Sequence, residues 1–200
     1  MTALLAGFLI GMRHALDPDH LAALSVLVAD RPSIARAAKQ GVIWGLGHTL
    51  TLLLVGLIII GFEFKLSAYF SIIAELAVGL MLVVLGIDLL RRWRKRQTAA
   101  SLKRALGVGL MHGLAGSSAL ILLALTHLDS KPLALGYIGL FGLGSVLGMG
   151  LLSVALAWPL QIANRPNRNQ AWVPGLTRGA ACALSIGFGV ALVGKSLATM

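Results

Sequence analysis

The chain has 200 residues, of which 58% are hydrophobic and only 12% charged, and its mean hydropathy is +0.88. A soluble domain of this length needs far more polar surface, so the composition predicts an all-α polytopic membrane protein. The net charge of +10 does not indicate nucleic acid as a partner, because the basic residues lie in short links between apolar segments. The single cysteine, Cys182, excludes an internal disulfide and a cysteine-based metal cage.

Six apolar segments approach or exceed the length of about 20 residues that crosses a bilayer. The predicted spans are 2–28, 41–62, 69–90, 106–126, 133–160 and 174–197. They leave no room for a separate soluble domain, so residues 1–200 are expected to form a single membrane domain. The first segment lacks a basic start and a small-residue cleavage site, and it is therefore interpreted as a span rather than a removed signal peptide.

Basic residues are divided unequally between the two sides of these spans. The links after the first, third and fifth spans contain thirteen, namely Arg31, Arg36, Lys39, Arg91, Arg92, Arg94, Lys95, Arg96, Lys103, Arg104, Arg165, Arg168 and Arg178. The opposite side contains three, Lys65, Lys131 and Lys195. Because short cytoplasmic loops carry the excess of Lys and Arg, we expect an inner (plasma) membrane protein with both termini outside and the basic loops in the cytoplasm.

The first predicted span carries ionisable side chains in its middle, in the stretch RHALDPDH. An Asp at the centre of a membrane helix costs about 2.5–3.5 kcal/mol, which favours a position facing a polar cavity, another polar group or an ion. With about 100° per residue on an ideal helix, His14, Asp17 and His20 share one broad face and Asp19 points away. Pro18 lacks an N–H and clashes with the preceding turn, so we expect a kinked or broken helix that turns Asp19 inward.

Arg13 leaves the role of Asp17 open. An Arg four residues before an Asp can pair with it on a helix, in which case Asp17 is a structural partner of Arg13. Without that pair, Asp17 is a second candidate ligand beside Asp19.

Two further histidines lie in predicted spans and follow an internal repeat. GMRHAL around His14 resembles GLMHGL around His112, and WGLGHTL around His48 resembles FGLGSVL around Ser145. His48 follows His14 by 34 residues, and Ser145 follows His112 by 33. We therefore predict two three-helix repeats over 1–97 and 98–200. Three spans per repeat give the halves opposite orientations, a 3+3 inverted repeat typical of secondary transporters with a site near the midplane.

Imidazole and carboxylate groups together predict a site for a transition metal. The candidate ligands are His14, Asp17, Asp19, His20, His48 and His112. Imidazole suits nickel, cobalt, zinc and copper, and the absence of thiolates argues against a cuprous site. The ligand types alone do not choose among nickel, cobalt and zinc.

The same residues carry a resemblance to a known family. RHALDPDH contains His14, Asp19 and His20 in the order H-x4-D-H, and hydroxyl residues follow His48 in GLGHTL. Through these motifs the sequence resembles the nickel/cobalt transporter (NiCoT/NicO) family. It is most similar to the compact six-span, urease-accessory-type (UreH-like) permeases, which share the HGLAGS element found here at 112–117. The resemblance implies passage of a divalent transition metal. It also implies that the selectivity site lies near His14, Asp19, His20 and His48.

The sequence therefore predicts a permease that moves Ni²⁺ or Co²⁺ through a His/Asp site in the first span. The alternative is a proton-coupled transporter of another solute, with the same residues as a proton relay; a structural accessory subunit is a third interpretation. No H-E-x-x-H or G-x-x-x-x-G-K-[ST] motif occurs, so no enzyme is expected. The expected partners are a divalent metal ion and the lipid bilayer, with no cofactor. The sequence does not specify which metal is moved or in which direction. It is compatible with a homo-oligomer but does not specify the oligomeric state.

Overall fold

The protein is described by a computed structural model over residues 2–29, 33–62, 67–95, 101–127, 130–163 and 173–200. Within these residues the chain forms seven helices and no strand, which confirms the all-α prediction. The helices are α1 (Thr2–His14), α2 (Pro18–Ala29), α3 (Ile34–Phe62), α4 (Ala68–Lys95), α5 (Leu102–His127), α6 (Lys131–Ala163) and α7 (Val173–Ala198).

Four of these helices are long and apolar enough to cross a membrane by themselves. They cover Ile34–Phe62, Tyr69–Lys95, Lys131–Ile162 and Val173–Ala198, and Pro18–Ala29 is a shorter apolar helix. Their outer surfaces expose many large apolar side chains, as lipid-facing surfaces do. The chain is therefore a polytopic α-helical membrane protein, as its composition predicts.

The first predicted span is broken in its middle, as the position of Pro18 predicts. α1 ends at His14 and α2 begins at Pro18. The carbonyl of His14 accepts a hydrogen bond from the N–H of Asp17 at 3.0 Å, so it does not need the N–H that Pro18 lacks. The carbonyl of Asp17 then accepts from the N–H of Leu21 at 2.9 Å and starts α2. The break leaves polar backbone at mid-helix, which a membrane protein tolerates only beside protein or a polar cavity.

The helices pack in a small set of pairs. α1 lies along α6, α3 lies between α5 and α6, and α4 pairs with α7. The residues in contact show the directions: α1 runs parallel to α6 and α3 parallel to α5, whereas α3 and α6 are antiparallel, as are α4 and α7. Buried apolar side chains of α2, α3, α4, α5, α6 and α7 share one core cluster, which packs the second half of the broken span against the rest of the bundle.

Glycines allow the helix backbones to approach closely in these pairs. A Cβ atom on Gly11 would overlap the carbonyl oxygen of Phe141 in α6, and one on Gly109 would overlap the carbonyl oxygen of Trp44 in α3. Small residues at helix contacts are the usual means of close packing in membranes. Gly11 and Gly109 are therefore packing residues, because a side chain at either position would separate the helices.

Ion pairs join the helices at their ends. Asp88 of α4 pairs with Arg92 at 3.0 Å and with Arg104 of α5. Glu75 of α4 pairs with Lys195 of α7 at 3.1 Å. These pairs lie away from the broken helix, so they account for two of the acidic residues without involving the candidate metal ligands.

Candidate metal centre

Four histidines meet at the break between α1 and α2. His14 is the last residue of α1, His20 lies in the first turn of α2, and His48 and His112 come from α3 and α5. The His20 ring is the hub: its centroid lies 4.5 Å from that of His14, 5.2 Å from His48 and 4.9 Å from His112. The break thus brings together all four histidines that the sequence predicts as ligands.

These imidazoles are buried, and several of their nitrogen atoms have no hydrogen-bond partner among the described residues. His20, His48 and His112 are at most 1% exposed. The unpartnered atoms are Nδ1 of His20, both ring nitrogens of His48 and Nδ1 of His112. A buried polar group without a partner costs about 2–7 kcal/mol, so a cluster of such groups needs a functional explanation. Each neutral imidazole has one nitrogen with a free lone pair, and a metal ion is a suitable partner for that nitrogen.

Two carboxylates each hold one of these imidazoles. Nδ1 of His14 lies 2.6 Å from a carboxylate oxygen of Asp17, and Nε2 of His112 lies 3.1 Å from one of Asp19. A carboxylate that accepts the N–H of a ligating histidine fixes the ring tautomer and its orientation. The arrangement therefore leaves Nε2 of His14 and Nδ1 of His112 to face a bound ion.

The structure excludes the helical Arg13–Asp17 pair, which was one of the two interpretations of Asp17. Asp17 pairs with His14, not with Arg13, whose side chain is exposed and forms no ion pair within the described parts of the chain. A helical Arg13–Asp17 pair requires a continuous helix through both residues, and the helix ends at His14. Asp17 is thus placed beside a candidate ligand.

Asp19 is turned toward the centre by the broken helix. On a continuous helix it would point away from His14 and His20, but it begins a new helix and reaches His112 in α5. Its place in the first turn of α2 also suits a carboxylate, because helix N-termini favour negative charge. The carboxylate remains one-third exposed, so it is reachable by an incoming ion.

The donor atoms fall into two groups that share His20. One group is His14, His20 and His48, and the other is Asp19, His20 and His112. Within each group, one donor atom per residue lies within 4.8 Å of the others. Ligands on one metal ion, at about 2.0–2.2 Å from it, lie somewhat closer together than this, so small side-chain movements complete either set.

Aromatic side chains close the centre, and sequence reasoning missed them. The Trp44 ring lies 5.0 Å from that of His20 and 5.4 Å from that of His112, and the Phe141 ring lies 5.2 Å from that of His14. The repeat gave a usable signal, because Trp44 and Phe141 occupy the same place in WGLGHTL and FGLGSVL. Trp44 also lies one turn before His48, on the same face of α3.

Ser145, which the repeat aligns with His48, makes a contact between helices and does not belong to either group of donor atoms. It is fully buried, and its hydroxyl donates to the carbonyl oxygen of Gly11 at 3.2 Å. The two halves of the chain therefore contribute unequally: α3 provides an imidazole where α6 provides a hydroxyl.

A polytopic helical membrane protein with buried imidazoles and carboxylates at a broken helix has the features of an ion transporter. The sequence matches the NicO family, high-affinity nickel-transport protein, over residues 1–179, and the chain belongs to this family. The family resemblance predicted from the H-x4-D-H motif is thus confirmed, and so is the expectation of a transporter family and not an enzyme family.

Curated relatives include bacterial and plant proteins. The chain is 33% identical over 186 residues to the urease accessory protein UreH of Bacillus sp. (strain TB-90), covering 84% of this chain and 82% of that protein. It is 27% identical over 176 residues to each of the chloroplast proteins FOR GROWTH AND FERTILITY 2 and 1 of Arabidopsis thaliana. Those matches cover 77% and 75% of this chain but only 46% and 48% of the plant proteins. No solved structure matches the chain.

Proposed function

We propose that the protein is a permease for a divalent transition metal, Ni²⁺ or Co²⁺, and that the ion binds among the histidines at the broken first span. The proposed ligands are His14, Asp19, His20, His48 and His112, with Asp17 holding His14. Membership of a nickel-transport family and the relation to UreH support the class of substrate. The donor chemistry supports the same class, because neutral imidazoles with a carboxylate suit late first-row divalent ions.

One observation carries this proposal: the environment of His48. Both of its ring nitrogens are buried and have no hydrogen-bond partner within the described residues, while the His14 and His20 rings lie 5.3 and 5.2 Å away. A structural histidine would satisfy at least one nitrogen with a neighbouring carbonyl or hydroxyl group. A metal ion bound by one of these nitrogens supplies a partner that the surrounding residues do not.

We further propose six spans in the inner membrane, with both termini outside. In this topology α1 and α2 together form the first span, and α5 is the fourth. In six alternating spans the first must be parallel to the fifth, and the second to the fourth. The contacts agree, because α1 is parallel to α6, the fifth span, and α3, the second span, is parallel to α5. The thirteen-to-three division of basic residues supports the orientation.

The two halves are proposed to be inverted repeats, and equivalent contacts support this. Gly11 approaches the carbonyl of Phe141, and the aligned residue Gly109 approaches that of Trp44, which aligns with Phe141. A second pair behaves alike: a Cβ on Gly144 would overlap the carbonyl oxygen of Phe8, and one on the corresponding Gly47 would overlap that of Leu106. Phe8 and Leu106 correspond in the same repeat, three residues before Gly11 and Gly109. A two-fold relation between the halves accounts for such exchanged contacts.

The main alternative is a proton-coupled transporter of another solute, in which the histidines and aspartates pass protons. Metal binding and proton release are themselves linked, because an imidazole must be deprotonated to bind metal. Direct binding of Ni²⁺ and Co²⁺ by the purified protein therefore separates the two functions, since a proton relay has no need of metal affinity.

The test is accumulation of radiolabelled Ni²⁺ and Co²⁺ in cells, normalised to membrane-inserted protein. We expect the wild type to change cellular metal and His48→Ala to abolish that change with insertion near normal. Ser185→Ala is the matched control, because Ser185 is also fully buried but donates to the carbonyl of Leu82 between α7 and α4. Normal transport in His48→Ala would contradict the proposed site.

A further inference from the structure

We propose that the metal centre is two overlapping binding positions that share His20, and that one of them exists only when the two halves of the protein are held together. This inference rests on the proposed function and goes beyond it. The first position consists of His14, His20 and His48, and the second of Asp19, His20 and His112.

The geometry separates the two positions. Each set of three has donor atoms within 4.8 Å of one another, but the five side chains do not form one such set among the described residues. The ring contacts agree with this division. The centroid of the His20 ring lies 4.5 Å from that of His14 and 4.9 Å from that of His112. His20 is thus common to both sets, and one ion occupies one position or the other.

The two positions belong to different parts of the chain. His14, His20 and His48 all come from helices α1 to α3, within the first predicted three-helix repeat. The second position crosses to the other repeat, because His112 lies in α5. A relative movement of the repeats therefore changes the second position and leaves the first intact.

The positions also differ in charge and orientation of ligands. The first offers three imidazoles and no carboxylate, and the carboxylate of Asp17 contacts Nδ1 of His14. The second includes the carboxylate of Asp19, which lies 3.1 Å from Nε2 of His112, so binding of the ion there must replace this contact or use Nδ1 of His112. Coulomb attraction to a dication is stronger where a ligand is negative, which favours the second position when the repeats are together.

A shared ligand gives the ion a path between the positions. An ion bound to His14, His20 and His48 exchanges two ligands for Asp19 and His112 while it keeps its bond to His20. It is therefore never left bare inside the membrane, where an uncompensated charge costs several kcal/mol. Because His112 moves with the second repeat, this exchange couples the place of the ion to the arrangement of the two halves.

Binding of Co²⁺ to the purified full-length protein tests the two positions. Equilibrium dialysis gives the number of ions and the affinity, and the visible d–d absorption reports the ligands. The variants are His48→Gln, which damages the first position, His112→Gln, which damages the second, and His20→Gln, which damages both; Ser145→Ala is the buried control next to the centre. Glutamine approximates the size of histidine, and each variant must elute as a single species.

We expect one bound Co²⁺ in the wild type. His48→Gln and His112→Gln should each retain one ion, with affinity reduced about tenfold and with different absorption spectra. His20→Gln should lose about 100-fold or more, because loss of an outer partner of a ligand alone costs about 10- to 100-fold. Metal transport into proteoliposomes should fail in all three and persist in Ser145→Ala.

Three results overturn the inference. If the wild type binds and transports Co²⁺ but His48→Gln and His112→Gln lose binding as fully as His20→Gln, the centre is one coordination sphere and the proposed function stands. If His112→Gln transports normally, the second position has no role. A wild type that neither binds nor moves Co²⁺ and Ni²⁺ overturns the proposed function together with this inference.

Discussion

At the scale of single residues, the two aspartates of RHALDPDH contact different histidines. Asp17 faces His14 and Asp19 faces His112, although only one residue separates them in sequence. The turn at residues 15–17 makes this possible, because it changes the direction of the chain between the two side chains. Each carboxylate can then hold an imidazole that comes from a different helix.

Asp17 is expected to act through His14. Asp17→Asn removes the carboxylate that lies 2.6 Å from Nδ1 of His14, so the ring loses its fixed tautomer and orientation. Co²⁺ affinity of the purified protein, measured by dialysis, should fall about 10- to 100-fold, as for other partners of metal ligands. Arg13→Gln is the control and should leave affinity unchanged. Equal losses in both variants would restore the Arg13–Asp17 pair as the important contact.

At the scale of helices, the break at Pro18 sets the shape of the centre. α1 and α2 have 13 and 12 residues, each too short to cross a bilayer of about 30 Å alone. Both are held by tertiary contacts, α1 along α6 and α2 against α7. The proline therefore permits the break, and packing fixes the direction in which α2 leaves it.

Pro18→Ala should impair transport more than insertion. Alanine restores an N–H at the start of α2 and removes the clash with the preceding turn, so a continuous helix through 15–17 becomes accessible. A continuous helix turns Asp19 away from His112. We expect metal uptake per inserted molecule to fall severalfold, with membrane insertion near that of the wild type. Pro159→Ala in α6, a proline inside a continuous helix, serves as the control. Uptake equal to the wild type in Pro18→Ala would show that packing alone maintains the break.

The close approach of α3 and α5 gives a second prediction at this scale. Gly109→Ala places a methyl group against the backbone of Trp44, and such overpacking costs about 1–3 kcal/mol. Gly107→Ala, in the same helix, meets nothing within 4 Å and gains helix propensity. In detergent, the thermal midpoint of Gly109→Ala should fall and that of Gly107→Ala should not. Similar midpoints for the two variants would argue against tight α3–α5 contact.

At the scale of the whole molecule, the orientation can be tested with single cysteines. In a Cys182→Ala background, Arg96→Cys and Arg168→Cys, in links outside the described residues, should be protected from membrane-impermeant thiol reagents in intact cells. Ser130→Cys, at an exposed residue before α6, should react. The reason is the excess of basic residues on the links that contain Arg96 and Arg168. The reverse labelling pattern would invert the proposed topology.

The sequence by itself determined the class of protein, the helical fold and most of the candidate ligands. These follow from chemistry that acts at each residue: apolar segments must span, backbone in lipid must be helical, and ionisable groups in a span need a polar partner. Pro18 likewise marks the break, because its missing N–H acts on its own turn. His14, Asp19, His20, His48 and His112 stood out for the same local reason.

Only the tertiary structure decided how these residues are combined. Whether Asp17 meets Arg13 or His14, whether Asp19 faces inward, and whether Trp44 closes the centre all depend on the path of α2 and on the approach of α3 and α5. Those features arise from contacts between segments far apart in the chain, and sequence spacing does not specify the distances. The contact of His20 with both His14 and His112 is of this kind, since it requires α1, α2 and α5 to meet at one point.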